Sequence, residues 1–403
     1  MLALGFVSGL PLYLSGLTLS QWLTESGIST QSIGLVAYLG LPYTLKFLWG
    51  PLLDQVAPPG ALARFGRRRG WLLAVQPPLA LCVLVMALSD PVRTPVLTVA
   101  AAFGIALFSA TQDIAIDAWR IESFPPDRQG LANALYVWGY RLAMFVAFKG
   151  VLWGVSRVGW HQALGLVAAV AAAAALVTWL APEPPPPALH PAPQPRRHPF
   201  ARMAESLTDF VRQRSAALAL GYVALFNLGE AMAGTLITPF YAHLGFDRTA
   251  VGNALGLYPL LATVVGIGAG GALVARLGLR RAMVATGFGQ MAAMGMYVVL
   301  ALHPGQVGLL YATSVIETFA QGVATAAFLA YLSSLCSPAY AATQFALLTS
   351  LAPLAARTVG GLSGFLEAQV GWAAFYAAAM VASLPAMLLM LVILSRDQRL
   401  RQT

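Results

Sequence analysis

The sequence predicts an all-α protein that crosses a membrane repeatedly, with twelve transmembrane helices in two pseudo-symmetric six-helix bundles. Three observations predict it. Of 403 residues, 58% are hydrophobic and only 10% charged, with a mean hydropathy of +0.72, whereas soluble domains carry about 25% charged residues. The apolar residues come in stretches of roughly 20, the length that spans a bilayer as a helix, and lack the period-two alternation of a membrane barrel. A proline-rich polar break then divides the chain near its middle. Backbone amides in hydrocarbon must be satisfied internally, which leaves helices as the solution for such stretches.

Helices are expected at 2–25, 31–54, 71–89, 96–118, 128–152, 159–180, 215–243, 248–276, 280–302, 306–335, 340–367 and 371–394. No small-residue cleavage site follows the first, so it reads as a span and not as a signal peptide. It opens at Met1 without a cytoplasmic arm, as would a chain short of a few N-terminal residues. Between the sixth and seventh helices, Pro182–Pro199 holds nine of the 26 prolines and reads as a polyproline spacer. ARMAESLTDFVRQR follows as a short surface helix. The expected organisation is an N-terminal bundle at 1–181, a linker at 182–214, a C-terminal bundle at 215–395 and a tail at 396–403.

The two halves share an order of features. Gly27 and Gly34, Pro42, GPLLD and RFGRRR in the first answer to Gly245 and Gly252, Pro259 and GALVARLGLRR in the second, with extra residues in the first half between Asp54 and Arg64. The cations are sorted by face. Of 24 Lys and Arg, 17 fall on the side of the even-numbered loops and the tail, 3 on the other, and 4 inside helices. The positive-inside rule then puts both termini in the cytoplasm and requires an even number of spans. The net charge of +9 is thereby a topology signal, and no nucleic-acid partner is expected. Cys82 and Cys336 share no metal spacing and read as small apolar residues. No paired His, Cys or Ser constellation at depth points to an enzyme.

Ionisable groups inside spans are costly and face the bundle interior. At about 1.5 Å per residue, Lys46 lies roughly 12 Å inside Asp54. Asp113 and Asp117, four apart, share a helix face. Arg141, Glu230, Glu317 and Arg357 are also deep. Two stacked carboxylates in a low dielectric retain a proton or take a cation, which suits a proton-coupled carrier; the same groups with Lys46 and Arg141 would equally serve as a network holding helices 2, 4 and 5. Arg357 reads as an anion ligand or as a partner for Glu317. Asp54 beside Arg67, Arg68 and Arg69 reads as a gating latch. Tyr43, Tyr136, Tyr140, Trp22 and Tyr38 would stack on a sugar or serve as packing.

The strings LGFVSGLPLYLSGLTLSQWL, YTLKFLWGPLLD, GRRRGWLLA, SATQDIAIDAWR, GYRLAM, NLGEAMAG and AATQFALLTSL stand in an order that resembles the muropeptide permease (AmpG) family of the major facilitator superfamily over nearly the whole chain. The resemblance implies a monomeric, multi-pass carrier of the bacterial inner membrane. It would import N-acetylglucosamine–anhydro-N-acetylmuramic acid, with or without a stem peptide, by proton symport for peptidoglycan recycling. No cofactor is implied beyond the proton motive force. Lys46, Asp54, Asp113, Asp117, Arg141, Glu317 and Arg357 fall on the family's charged positions. The expected roles are proton coupling for Asp113, Asp117, Glu230 and Glu317, and substrate binding for Lys46, Arg141, Arg357, Tyr43, Tyr140 and Gln112. Gating falls to Asp54, Arg67, Arg68 and Arg69. Asn227 stands where relatives often carry a lysine, which weakens a binding role for the seventh helix. The competing expectation is a carrier of the same fold for another anionic cargo, such as an acetyl-CoA-like, sugar or drug molecule, or an exporter.

Overall fold

The computed structural model of the protein describes residues 1–50, 53, 56–124, 129–184, 208, 216–335, 348, 353–354 and 356–402. Among them, ten helices are long and apolar enough to cross a membrane. In chain order, α1 is Leu2–Glu25, α3 Arg67–Leu88, α4 Pro95–Ser123, α5 Gln129–Val158 and α6 Trp160–Leu180. In the second half, α7 runs from Ala216 to His243 in three pieces; α8 is Arg248–Leu277, α9 Leu279–Leu302, α10 Val307–Leu335, α11 Ser363–Val370 and α12 Trp372–Gln402. Between α1 and α3 lies α2, Thr30–Leu48. It is not the single continuous helix the sequence predicts. A 3-10 stretch, Val36–Gly40, breaks it, and another, Lys46–Leu48, ends the described part. Pro42 just after Gly40 explains the interruption, since it offers no N–H to the preceding turn. Asp54 lies outside the described residues, as do Cys336, most of the proline-rich stretch and the surface helix expected after it.

The chain divides into two compact units. One takes in Met1–Ile28 and Leu39–Pro195, the other Ser29–Tyr38 and Arg196–Thr403. In the first unit α1 packs along α5, and α3 lies between α6 and α4. Without solvent to drive helices together, close packing of small residues supplies the attraction. Gly5 and Gly9 provide it here. A Cβ at Gly5 would stand 2.1 Å from the Tyr136 carbonyl oxygen, and one at Gly9 2.5 Å from that of Tyr140. Gly139 faces back, 2.0 Å from the Leu2 carbonyl oxygen by the same measure. In the second unit α8 packs on α10 through Gly266 and Gly270, and α9 and α12 close around an aromatic core of Tyr222, Phe226, Phe328 and Tyr331.

The units repeat each other's bends. Gly27 and Gly245 take positive φ (75° and 81°) after the first helix of each, and Ser29 and Asp247 then cap the next by accepting from Ser32 N–H and Ala250 N–H. Gly66 and Gly278 open the third helices, and Gly159 and Gly371 the last ones, all with φ near 80–95° or 74–76°, a region that disfavours a Cβ. Gly66 follows Gly27 by 39 residues, whereas Gly278 follows Gly245 by 33, so the first half's extra residues lie between those bends. Trp160, just after Gly159, stacks on Trp22 at 5.6 Å; Trp372, just after Gly371, meets Phe240 at 5.2 Å.

The glycine crossing of α1 and α5 should tolerate no side chain. Gly5→Val forces an overpacking cost of about 1–3 kcal/mol or more, whereas Gly16→Ala, with nothing within 4 Å of its Cβ, should be benign. Thermal unfolding of the purified protein in detergent measures both. Parent-like melting of Gly5→Val would contradict the close packing described.

Candidate functional site

The α1–α5 crossing surrounds one acid. Asp113, on α4, is 6% exposed and accepts a short hydrogen bond from the Ser8 hydroxyl of α1. Ser8, itself completely buried, is 2.8 Å from the Tyr136 hydroxyl of α5. Lys46, from the last described turn of α2, faces the same carboxylate. One helical turn along α4, Asp117 is in a different setting. Its side chain is 40% exposed and lies 4.0 Å from Lys46 Nζ and 3.4 Å from Arg120. The Arg120 guanidinium also lies 5.8 Å from the Tyr136 ring centroid.

Tyr13, Tyr43, Tyr136 and Tyr140 gather with Asp113, and the rings of Tyr136 and Tyr140 are 6.0 Å apart. Gln112 is fully enclosed and gives its amide N–H to the Val7 carbonyl at 3.0 Å, so it clamps α1 to α4 and offers a ligand no exposed surface. Arg141 departs from the expected network. It is half-buried on α5, near Tyr13, and makes no hydrogen bond or ion pair with any described residue. Beside Lys46, the second cation on Asp117 is instead Arg120, three residues away on the same helix. A half-buried guanidinium with no protein anion can receive an anionic group in bidentate fashion.

In the second unit Glu230 of α7 accepts from Gln290 Nε2 of α9 at 2.7 Å. Glu317 of α10, 8% exposed, is hydrogen-bonded by Tyr297 and Thr318 and lies within electrostatic reach of Glu230. The stacked rings of Tyr297 and Tyr376, 4.9 Å apart, flank it. Arg357 donates to the Ala37 carbonyl at 3.3 Å; both lie in this unit.

The arginine run at the start of α3 has partners the sequence reading missed. Arg68, 4% exposed, holds Glu122 through Nε at 3.0 Å and Nη2 at 2.6 Å, and Arg67 reaches the same carboxylate at 3.0 Å. Arg68 also approaches the Leu53 carbonyl at 3.5 Å. Glu183 caps the helix, accepting from the backbone N–H of Arg68 at 2.8 Å and of Arg69 at 2.9 Å, where a helix start favours negative charge. Arg69 donates to the Trp179 carbonyl at 2.5 Å. Burial works to raise the Glu122 carboxyl, but the Arg68 hydrogen bonds and the Arg68 and Arg67 charges outweigh it and hold it below the ordinary range.

The sequence profile of the Major Facilitator Superfamily matches residues 1–228 and again 218–403. An Anhydromuropeptide permease of Escherichia coli is 38% identical over 97% of this chain and 78% of its own. A protein of Rickettsia felis bearing the transporter name AmpG 4 is 31% identical over 96% of this chain and 94% of its own. Among solved structures, a variant of the nucleoside transporter NupG superposes with a TM-score of 0.74 at 15% identity, covering 98% of both chains. A variant of the peptide transporter POT gives 0.72 at 13% identity, over 99% of this chain and 94% of that one.

Because the Glu122 value is depressed in the folded protein, its stabilisation is complete above the ordinary carboxyl value of 4.5 and is lost as pH falls through the lower, folded one. Glu122→Gln should therefore melt lower than the parent at neutral pH, by about 1–3 kcal/mol for the weakened partner of buried Arg68. The gap should narrow in acid. Melting curves at several pH values decide it; a gap that is constant or widens in acid would show that the pair does not act this way.

Proposed function

The chain belongs to the muropeptide permease (AmpG) family of the Major Facilitator Superfamily, and from that premise we propose that it imports anhydromuropeptides by proton symport. The observation that carries the cargo is its relatedness, along nearly its whole length, to the Escherichia coli permease. The two units described by themselves each hold enclosed carboxylates, and the first also holds an unspent guanidinium. In this reading Arg141, Lys46 and Arg357 take the anionic groups of a muramyl or stem-peptide cargo, and Tyr43 and Tyr140 face its sugar rings. Gln112 supports the site through the α1–α4 clamp.

Asp113, Asp117, Glu230 and Glu317 are the candidate proton carriers: Asp113, Glu230 and Glu317 because a carboxylate enclosed in low dielectric gives up its charge by taking a proton, and Asp117 because it stands one turn from Asp113 on the same helix face. Protonation and cargo binding together neutralise the interior, which lowers the cost of passing between alternate access states. Arg67, Arg68 and Arg69, with Glu122 and Glu183, form the gate at the α3 end of the first unit, and Asp54, outside the described residues, is assigned to gating from its sequence alone. The protein works as a monomer in the bacterial inner membrane with both termini in the cytoplasm. It draws on the proton motive force and on no cofactor, and nucleic acid is not a partner.

Uptake of labelled N-acetylglucosamine–anhydro-N-acetylmuramic acid into sealed vesicles tests the reading. A protonophore should abolish accumulation. Arg141→Ala should raise the apparent KM about 10- to 100-fold, the worth of a lost hydrogen bond to a charged group. Accumulation that persists in the collapsed gradient would remove the symport, and failure to take up the anhydro-disaccharide alongside saturable uptake of labelled acetyl-CoA would replace the cargo.

A further inference from the structure

Resting on the symport reading, we infer that Asp113 alone of the α4 carboxylate pair takes up the coupling proton, and that Ser8 and Tyr136 form the hydroxyl relay that delivers it.

The two acids stand one turn apart but are differently furnished. Asp117 is 40% exposed and lies between two cations, Lys46 at 4.0 Å and Arg120 at 3.4 Å. Solvent and two positive charges already compensate its negative charge. Asp113 is enclosed, and the Ser8 and Tyr136 hydroxyls are hydrogen-bonded to it in series. From α1 it faces Ser8, from α2 Lys46, along α4 Asp117, and from α5 Tyr136 and Tyr140. The other helix beside α4, α3, meets it through Cys82 at Gly104 and through Arg68 at Glu122, away from this point.

The direction of the relay follows from counting hydrogens. Ser8 has one O–H proton and gives it to Asp113 Oδ1. Its oxygen must then be the acceptor in the 2.8 Å contact with Tyr136, whose hydroxyl is the donor. A hydronium ion reaching Tyr136 leaves its extra proton on the phenol oxygen as the phenol proton passes to Ser8. The Ser8 proton in turn passes to Asp113. One carboxylate becomes one carboxylic acid, and both hydroxyls end as they began. Tyr136 is only partly covered, which gives the chain its outer end. The nearby Arg120 guanidinium repels a cation that lingers there, so the proton does not rest on the tyrosine.

The experiment has two readouts. Infrared difference spectra of the purified protein in liposomes, taken between acid and alkaline buffer, record the C=O stretch of a buried protonated carboxyl without any cargo. Glu230 and Glu317 contribute bands of their own, so the readout is the component lost on substitution. One component should vanish in Asp113→Asn, persist in Asp117→Asn and move to higher frequency in Ser8→Ala, which removes its hydrogen bond, while the Glu230 and Glu317 components stay. In vesicles, Ser8→Ala and Tyr136→Phe should lower proton-driven accumulation of the anhydro-disaccharide by about a hundredfold, the low end of what a positioned proton-transfer group contributes. Exchange of external for internal cargo, which needs no net proton movement, should stay near the parent rate, and Ser8→Thr should restore accumulation. A band lost in Asp117→Asn and kept in Asp113→Asn overturns the assignment, as does parent-like accumulation by Ser8→Ala and Tyr136→Phe. A parent that takes up no anhydro-disaccharide refutes the cargo, while the infrared result still decides which acid holds the proton.

Discussion

Two helices touching backbone to backbone set the geometry of the first unit. With hydrogen in place of a side chain at Gly5, Gly9 and Gly139, α1 and α5 approach until any added Cβ would strike a carbonyl oxygen. That approach carries Ser8 on one helix and Tyr136 on the other to the same point. Three pairs then coincide in register: Gly5 and Gly9 on α1, Tyr136 and Tyr140 on α5, Asp113 and Asp117 on α4. Each pair is spaced by four, the spacing that keeps residues on one helix face. The polar centre of the unit is thus a product of packing between residues with no polarity at all.

The interior charges follow from the same solvent argument. A charge in a membrane protein needs a partner, water, or a proton to remove it. The first unit meets this need differently at each site. Asp117 has cations and water, Arg68 has Glu122, and Asp113 has hydroxyls. Arg141 has no anionic partner among the described residues. The second unit places two acids, Glu230 and Glu317, within reach of each other, each hydrogen-bonded by neutral groups: Gln290 for the first, Tyr297 and Thr318 for the second.

Most of the architecture was legible because hydropathy in a bilayer is a one-dimensional signal. The first turn of each half was too, since Gly27 and Gly245 mark it. Helix interiors were less so. Pro42 stood in view, yet its effect on α2 depends on whether neighbours re-satisfy the freed backbone, which a single chain does not reveal. Long-range partners were the hardest. Glu122 lies 54 residues from Arg68 and Glu183 115, and Glu183 sits in a stretch whose composition reads as a spacer. The Arg120–Asp117 pair was within reach of the sequence, being three residues apart on one helix. A basic residue near a helix end also reads as a topology signal, and that reading masks the pairing. Ser8 carried no signal; one serine among many small residues of α1 becomes special only when α4 arrives.

Residues 29–38 belong with the second unit although the chain reaches them from the first. Gly34 lies against Gly361 and Gly364, where a Cβ on Gly34 would meet the Gly361 carbonyl oxygen at 3.1 Å, and Gly361 lies against the Tyr38 ring. Tyr38 donates to the Thr358 carbonyl at 3.0 Å, and Arg357 to that of Ala37. The polypeptide therefore lends ten residues across a boundary and takes them back. A protein cut in the proline-rich stretch and made as two pieces would leave the second piece with an unfilled groove along α11. These ten residues are held by a few neutral or singly charged hydrogen bonds, each worth roughly 0.5–3 kcal/mol, and by glycine contacts that leave smooth surfaces on parting. The segment's attachment is accordingly made of contacts that can be given up one at a time.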